Sequence, residues 1–147
     1  MAAVALTATL STKEFERISA LAYEGLSCRV SLHVNSGSLT AESTMTDWDA
    51  AKLPASNGYE DFTVASLPAG GLDPGSDDRW EIGGTAGANT YIEAAFTATG
   101  TGFSFDTVVV QVGGGAYPHS ILVEAPTVTV AAGQTQTYRI QLLIDNV

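Results

Sequence analysis

The sequence holds one cysteine, two histidines and six lysines and arginines among its 147 residues. The lone Cys28 excludes an intrachain disulfide, which agrees with synthesis and assembly in a reducing cytoplasm. Neither His33 nor His119 lies at ligand spacing from another His or from Cys28, so no zinc site is expected. Six basic residues against sixteen acidic ones give a formal charge of -10. A surface of that sign repels DNA, RNA and anionic lipid, so neither nucleic acid nor membrane is an expected partner. Residues 1–10 are apolar, but no basic stretch precedes them and Thr7 and Thr9 interrupt the run. Neither a targeting signal nor a membrane span is expected there.

Helix signals are scarce, and from Thr90 to Ile144 there is none. That stretch reads as four consecutive strands, Thr90 to Thr99, Phe103 to Val112, Ser120 to Val130 with a break at Pro126, and Thr135 to Ile144. Glycine-containing turns separate most of them. In the last, Tyr138, Ile140, Leu142 and Ile144 alternate with Thr137, Arg139 and Gln141, and only Leu143 spoils the pattern. Val108, Val110 and Val112 repeat the alternation, with Val109 adding apolar surface to the other face, as in a central strand covered on both sides.

Earlier in the chain, Val4 to Thr9 reads as a short strand or arm. A helix is predicted over 12–24. Ser11-Thr12-Lys13-Glu14 forms a capping box, Leu10 and Phe15 a hydrophobic staple, and Phe15, Ile18, Leu21 and Ala22 the inward stripe, with Gly25 as a left-handed stop. Ser27 to Val34 alternates Cys28, Val30, Leu32 and Val34 against Arg29, Ser31 and His33, which points His33 away from the core. Thr46 to Leu53 suits one or two helical turns before Pro54, and Asn57-Gly58 turns the chain into a strand from Tyr59 to Leu67. Residues 68–78 read as an acidic exposed loop, followed by a short strand from Arg79 to Ile82. The expected fold is therefore mainly β: an antiparallel β-sandwich or flattened barrel with one N-terminal amphipathic helix, a single domain over 1–147. A chain of this size buries about 68 to 70% of its unfolded surface without staples.

Chemistry-bearing residues are few. Asp73, Asp77 and Asp78 are hard carboxylates around a glycine turn, but they lack the alternating ligands and closing Glu of a calcium loop, and read as a solvated turn. Gly83-Gly84-Thr85-Ala86-Gly87 has neither the lysine nor the following helix of a phosphate loop. His119-Ser120 lacks a strand-turn-helix elbow to present the serine. Asp47/Asp49 and Glu60/Asp61 are acid pairs of the kind a glycosidase dyad uses, but Asp47 and Asp49 flank Trp48 in a turn and read as easily as a cap and a solvated side chain. Trp48 and Trp80 suit loop anchoring onto a core better than sugar stacking. No catalytic residue, metal or cofactor is expected. Partner contacts are sought at Val4, Leu6, Trp48, Tyr59, Trp80 and Tyr117, with apolar surface left at strand edges or on the helix.

The Trp48-Asp49 turn, the Asn57-Gly58-Tyr59 strand start, the segment Ala94 to Gly100 and the turn Val128-Thr129-Val130-Ala131-Ala132-Gly133-Gln134-Thr135 together resemble a group of small β proteins of tailed bacteriophage virions. The similarity runs over about residues 12–145, and the 68–78 loop departs from it. The resemblance implies a non-enzymatic virion structural protein made in the host cytoplasm. Within that group it implies a capsid decoration or cement protein, with a tail, baseplate or fibre component as the alternative. Expected partners are other virion proteins and further copies of the chain, as a trimer or pseudo-trimer. A carbohydrate or host-surface binding module built on the aromatic residues is the reading from a different class.

Overall fold

The computed structural model of the chain describes residues 10–35, 37–73, 76–82 and 91–145, with backbone alone at 73, 76–78 and 145. The strand expected from Val4 to Thr9, with its contact candidates Val4 and Leu6, and the Gly83 to Gly87 turn lie outside the described residues, as do the side chains of Asp73, Asp77 and Asp78. The elements in chain order are α1 (Thr12–Tyr23), β1 (Cys28–His33), α2 (Met45–Ala50), β2 (Phe62–Val64), β3 (Gly70–Asp73), β4 (Ser76–Ile82), β5 (Ile92–Thr97), β6 (Phe103–Val112), β7 (Ser120–Val130), β8 (Thr135–Ile140) and β9 (Leu143–Asp145). The protein is mainly β, its sheets are antiparallel and not closed into a barrel, and the fold is sandwich-like. Contacts divide the chain into two compact units. One comprises Met1–Glu24, Pro68–Tyr91 and Gln141–Val147; the other comprises Gly25–Leu67 and Ile92–Ile140.

In the first unit, α1 begins where its capping signal lies. Ser11 is extended and its hydroxyl accepts from the Glu14 amide at 3.3 Å. The reciprocal half of the box is replaced by an ion pair, because the Glu14 carboxylate turns to Arg17 one turn on. The buried stripe is Phe15, Ser19 and Tyr23 at i, i+4, i+8, while Ile18 and Leu21 remain 40% and 68% exposed. This corrects the expected stripe: spacing alone could not register Ser19 and Tyr23 as the inward side. Tyr23 stacks on Trp80 of β4, with ring centroids 5.6 Å apart. Gly70 lies against that indole, so that any Cβ there would enter the ring's volume. The 68–78 stretch is not the exposed loop expected from its prolines, glycines and acids. It contributes most of a hairpin, β3 paired with β4, and β4 is paired in turn with β9.

The second unit holds a four-stranded sheet in the order β2-β1-β6-β7 and a two-stranded sheet, β5-β8. The valine strand β6 is central as expected, with Val108, Val109 and Val110 all buried. The last third is not a run of neighbouring strands, however, because β5 pairs with β8 and not with β6. Nor is Thr135 to Ile144 one strand. The chain leaves β8 after Ile140 and resumes as β9 in the other unit, and the lapse in alternation at Leu143 marks the change. The two sheets meet through rings: Phe105 lies edge-on to Tyr138 at 6.1 Å, and Tyr59 stacks on Phe96 at 6.1 Å. Asn57 and Gly58 both take positive φ in the turn that delivers Tyr59, as their residue types predict. Opposite Pro126 the register shifts: Phe105 faces Val128 and Thr107 faces Val123, so β7 bulges at the proline while remaining one strand.

Candidate functional site

Polar side chains converge most densely on the face of β1 that the sequence assigned to solvent. Arg29, Ser31 and His33 lie on that face, but α2 covers it and His33 is fully buried. His33 Nδ1 meets the Trp48 carbonyl oxygen at 2.8 Å, which fixes the proton on Nδ1 because a carbonyl can only accept. Nε2 is then the acceptor for the Ser31 hydroxyl at 2.8 Å. Burial pushes the His33 pKa down, against the opposing pull of the Trp48 carbonyl, Asp49 and Asp61, so the imidazole stays neutral.

A hydroxyl donating to an imidazole is the geometry of a nucleophile and its base. Here both side chains are sealed, at 1% and 0% exposure, and His33 is oriented by a backbone carbonyl with the Trp48 ring edge-on to it at 5.2 Å. No substrate can reach that oxygen, so the pair does structural duty, fastening α2 to β1. His33 pointing outward is thus corrected. Alternation placed it on the correct face of the strand, and the Trp48 segment covering that face was not counted.

Beside it, Asp61 accepts from three donors: the Tyr59 hydroxyl at 2.6 Å, Lys52 Nζ at 2.9 Å and Arg29 at 3.5 Å. Desolvation works to raise the Asp61 pKa, but these partners outweigh it and hold the carboxyl below its ordinary value. The Tyr59 hydroxyl, desolvated and tied to Asp61, is pushed far up and also donates structure to β1 by accepting the Leu32 amide at 2.9 Å. Arg29 further donates to Asp49 at 2.9 Å and to Gln111 at 3.0 Å. Every charge in this cluster is matched by a neighbour, as in a structural network that leaves no group poised for proton transfer.

The aromatic contact candidates separate by burial. Trp48, Tyr59 and Trp80 are buried and cannot stack on an outside ligand. Trp48 instead packs with Met45 and Val109 and donates from its indole to the Thr40 carbonyl at 3.1 Å. Anchoring onto the core, the simpler of the two readings of the tryptophans, is what the structure holds. Tyr117 alone is exposed, at 56%. Among the described residues no cluster of His, Cys, Asp or Glu suits a metal ion, and no helix is long and apolar enough to cross a membrane.

What the described exterior does offer is a region with a single charge. From Thr107 to Tyr138 the only charged side chain is Glu124, in a protein of net charge -10. Glu124 is itself bonded, accepting from the Tyr138 hydroxyl at 2.7 Å. This region contains most of β6, all of β7 and the loop between them. β7 is the edge of its sheet, and among the described residues no backbone hydrogen bond reaches its outer side. Leu122 and Val123 on it are 48% and 61% exposed, close in sequence to Tyr117. Beside the strand lies an open groove of about 590 Å³, lined by Leu39, Ile121, Val123 and Pro126 together with the carboxylates Asp106 and Glu124. The thinning of charge between Asp106 and Arg139, broken only by Glu124, is the signal in the sequence that marks this site. No family model, curated protein or solved structure matches this chain.

Proposed function

We propose that the chain is a non-enzymatic structural protein of tailed-bacteriophage virions, a decoration or cement protein that coats the outer surface of the capsid shell. The observation that carries the reading is the open edge strand β7, with Leu122 and Val123 exposed and Glu124 its one charged residue, on a strongly acidic body. Such a strand is normally blunted by charge, because it templates pairing with another chain; a protein that keeps it open is built to touch protein. The acidic remainder keeps the chain off the packaged genome. The turn and strand motifs from Trp48-Asp49 to Gln134-Thr135 support the same class by resemblance.

A glycan-binding module loses its support with Trp48, Tyr59 and Trp80 buried, since Tyr117 alone makes no stacking platform. The deciding experiment is a cryo-electron microscopy map of intact particles containing the chain. Density for it on the shell exterior is the expected result. Density on the tail would move the protein to the alternative position, and particles in which mass spectrometry finds no copy would overturn the reading.

A further inference from the structure

We infer that the occupant of the β7 edge is a second copy of this chain, whose own β7 pairs antiparallel with it over Ser120 to Ala125 and joins two four-stranded sheets into one. The inference rests on reading the sparsely charged β6-β7 hairpin as a protein-contact surface, and it names the partner. Three observations select that partner. Among the described residues the outer edge of β7 carries unpaired backbone groups, and Leu122 and Val123 on it are exposed, so a strand added there gains both a ladder and apolar contact. Pro126 has no N–H, which ends the usable edge at Ala125 and leaves a segment short enough to specify one register.

The third is charge. A basic partner would be met by carboxylates, whereas a partner as acidic as the chain itself approaches best where carboxylates are fewest. The stretch from Thr107 to Tyr138 holds one, Glu124, which is bonded to the Tyr138 hydroxyl, and a second copy of the chain is a partner certain to carry -10. Pairing two identical edges about a two-fold axis is self-complementary and closed, so it yields a dimer and not a fibre.

The test is the mass of the full chain by size exclusion with light scattering, at about 20 mM and about 300 mM salt, where the screening length differs roughly fourfold. The expected mass is twice the 15.2 kDa of one chain. The dimer is expected to tighten as salt rises, because the acidic bodies repel and the contact itself holds no basic side chain to offset that repulsion. The double variant Leu122→Glu/Val123→Glu should dissociate at least tenfold more readily. Leu122→Thr/Val123→Thr, which adds no charge to the strand, should remain dimeric, and equal thermal midpoints for the two variants separate lost pairing from lost fold. Hydrogen exchange should show amides 120–125 protected in the wild type and released in the Glu variant.

A wild type that stays monomeric, a trimer, or a dimer indifferent to the two glutamates would each overturn the inference. So would protection of 120–125 that arises only when shells are added, which would assign the edge to a shell protein. A monomer found on shells removes this inference and spares the proposed function. A dimer absent from particles does the reverse.

Discussion

Asp61 shows how single residues decide this protein's interior. Three donors share its carboxylate, and none of them has water as a full substitute, so Asp61→Ala should destabilise the fold by about 2 to 3 kcal/mol, measured by chemical denaturation. A loss below about 0.5 kcal/mol would mean that the cluster is solvated and contributes little. His33 gives a pH signature with a definite sign. Its native form is neutral and its folded pKa lies below the unfolded value, so its contribution is whole above about pH 6.5 and is lost as pH falls toward the folded value. Asp61, also lowered, keeps its contribution until pH drops through the carboxylate range, which leaves the interval from pH 7 to 5 to the histidines. Thermal midpoints should fall across that interval, and His33→Gln should flatten the slope. His119, shifted the same way by desolvation, remains in the variant and sets the residual. The cap signal at Ser11, the turn at Asn57-Gly58 and the burial of Cys28 were all legible in the sequence, because each depends on neighbours a few residues away. His33 was not, since its environment is made by Trp48 and Asp61, which no local pattern connects to it.

Individual elements were legible where their signals are periodic and hidden where they depend on pairing. β6 was expected with the bounds it has, and α1 to within a residue. Yet the partner of β5, the strand nature of 70–73, and the division of the last stretch into β8 and β9 depend on contacts between distant residues. Composition misled at 68–78: two prolines, three glycines and acids spell a loop, but Gly70 is required by the Trp80 ring against it and so belongs to packing. Gly70→Ala should therefore cost about 1 to 3 kcal/mol by overpacking. Gly133→Ala, at positive φ but with open space around its Cβ position, should cost about 1 kcal/mol through backbone strain alone. Parallel denaturation curves check the pair, and an equal loss at both sites would show that the indole yields. Ser11→Ala should cost about 1 kcal/mol through the first turn of α1, read the same way.

For the molecule as a whole, charge is the organising quantity, and it was only half legible: the total of -10 was plain, whereas its thinness across the β6-β7 hairpin, where Asp106 and Glu124 alone are charged, gained meaning only once that hairpin became a sheet edge. The path of the backbone has a consequence of its own. The unit that contains α1 is assembled from three separate stretches, and its strand β4 gains its second neighbour only from β9, near residue 145. During synthesis on a ribosome that unit cannot close until Leu143 to Asp145 have emerged, after every strand of the other unit. A chain stopped at Ile140 should show rapid amide exchange in β3 and β4 while β1, β6 and β7 stay protected.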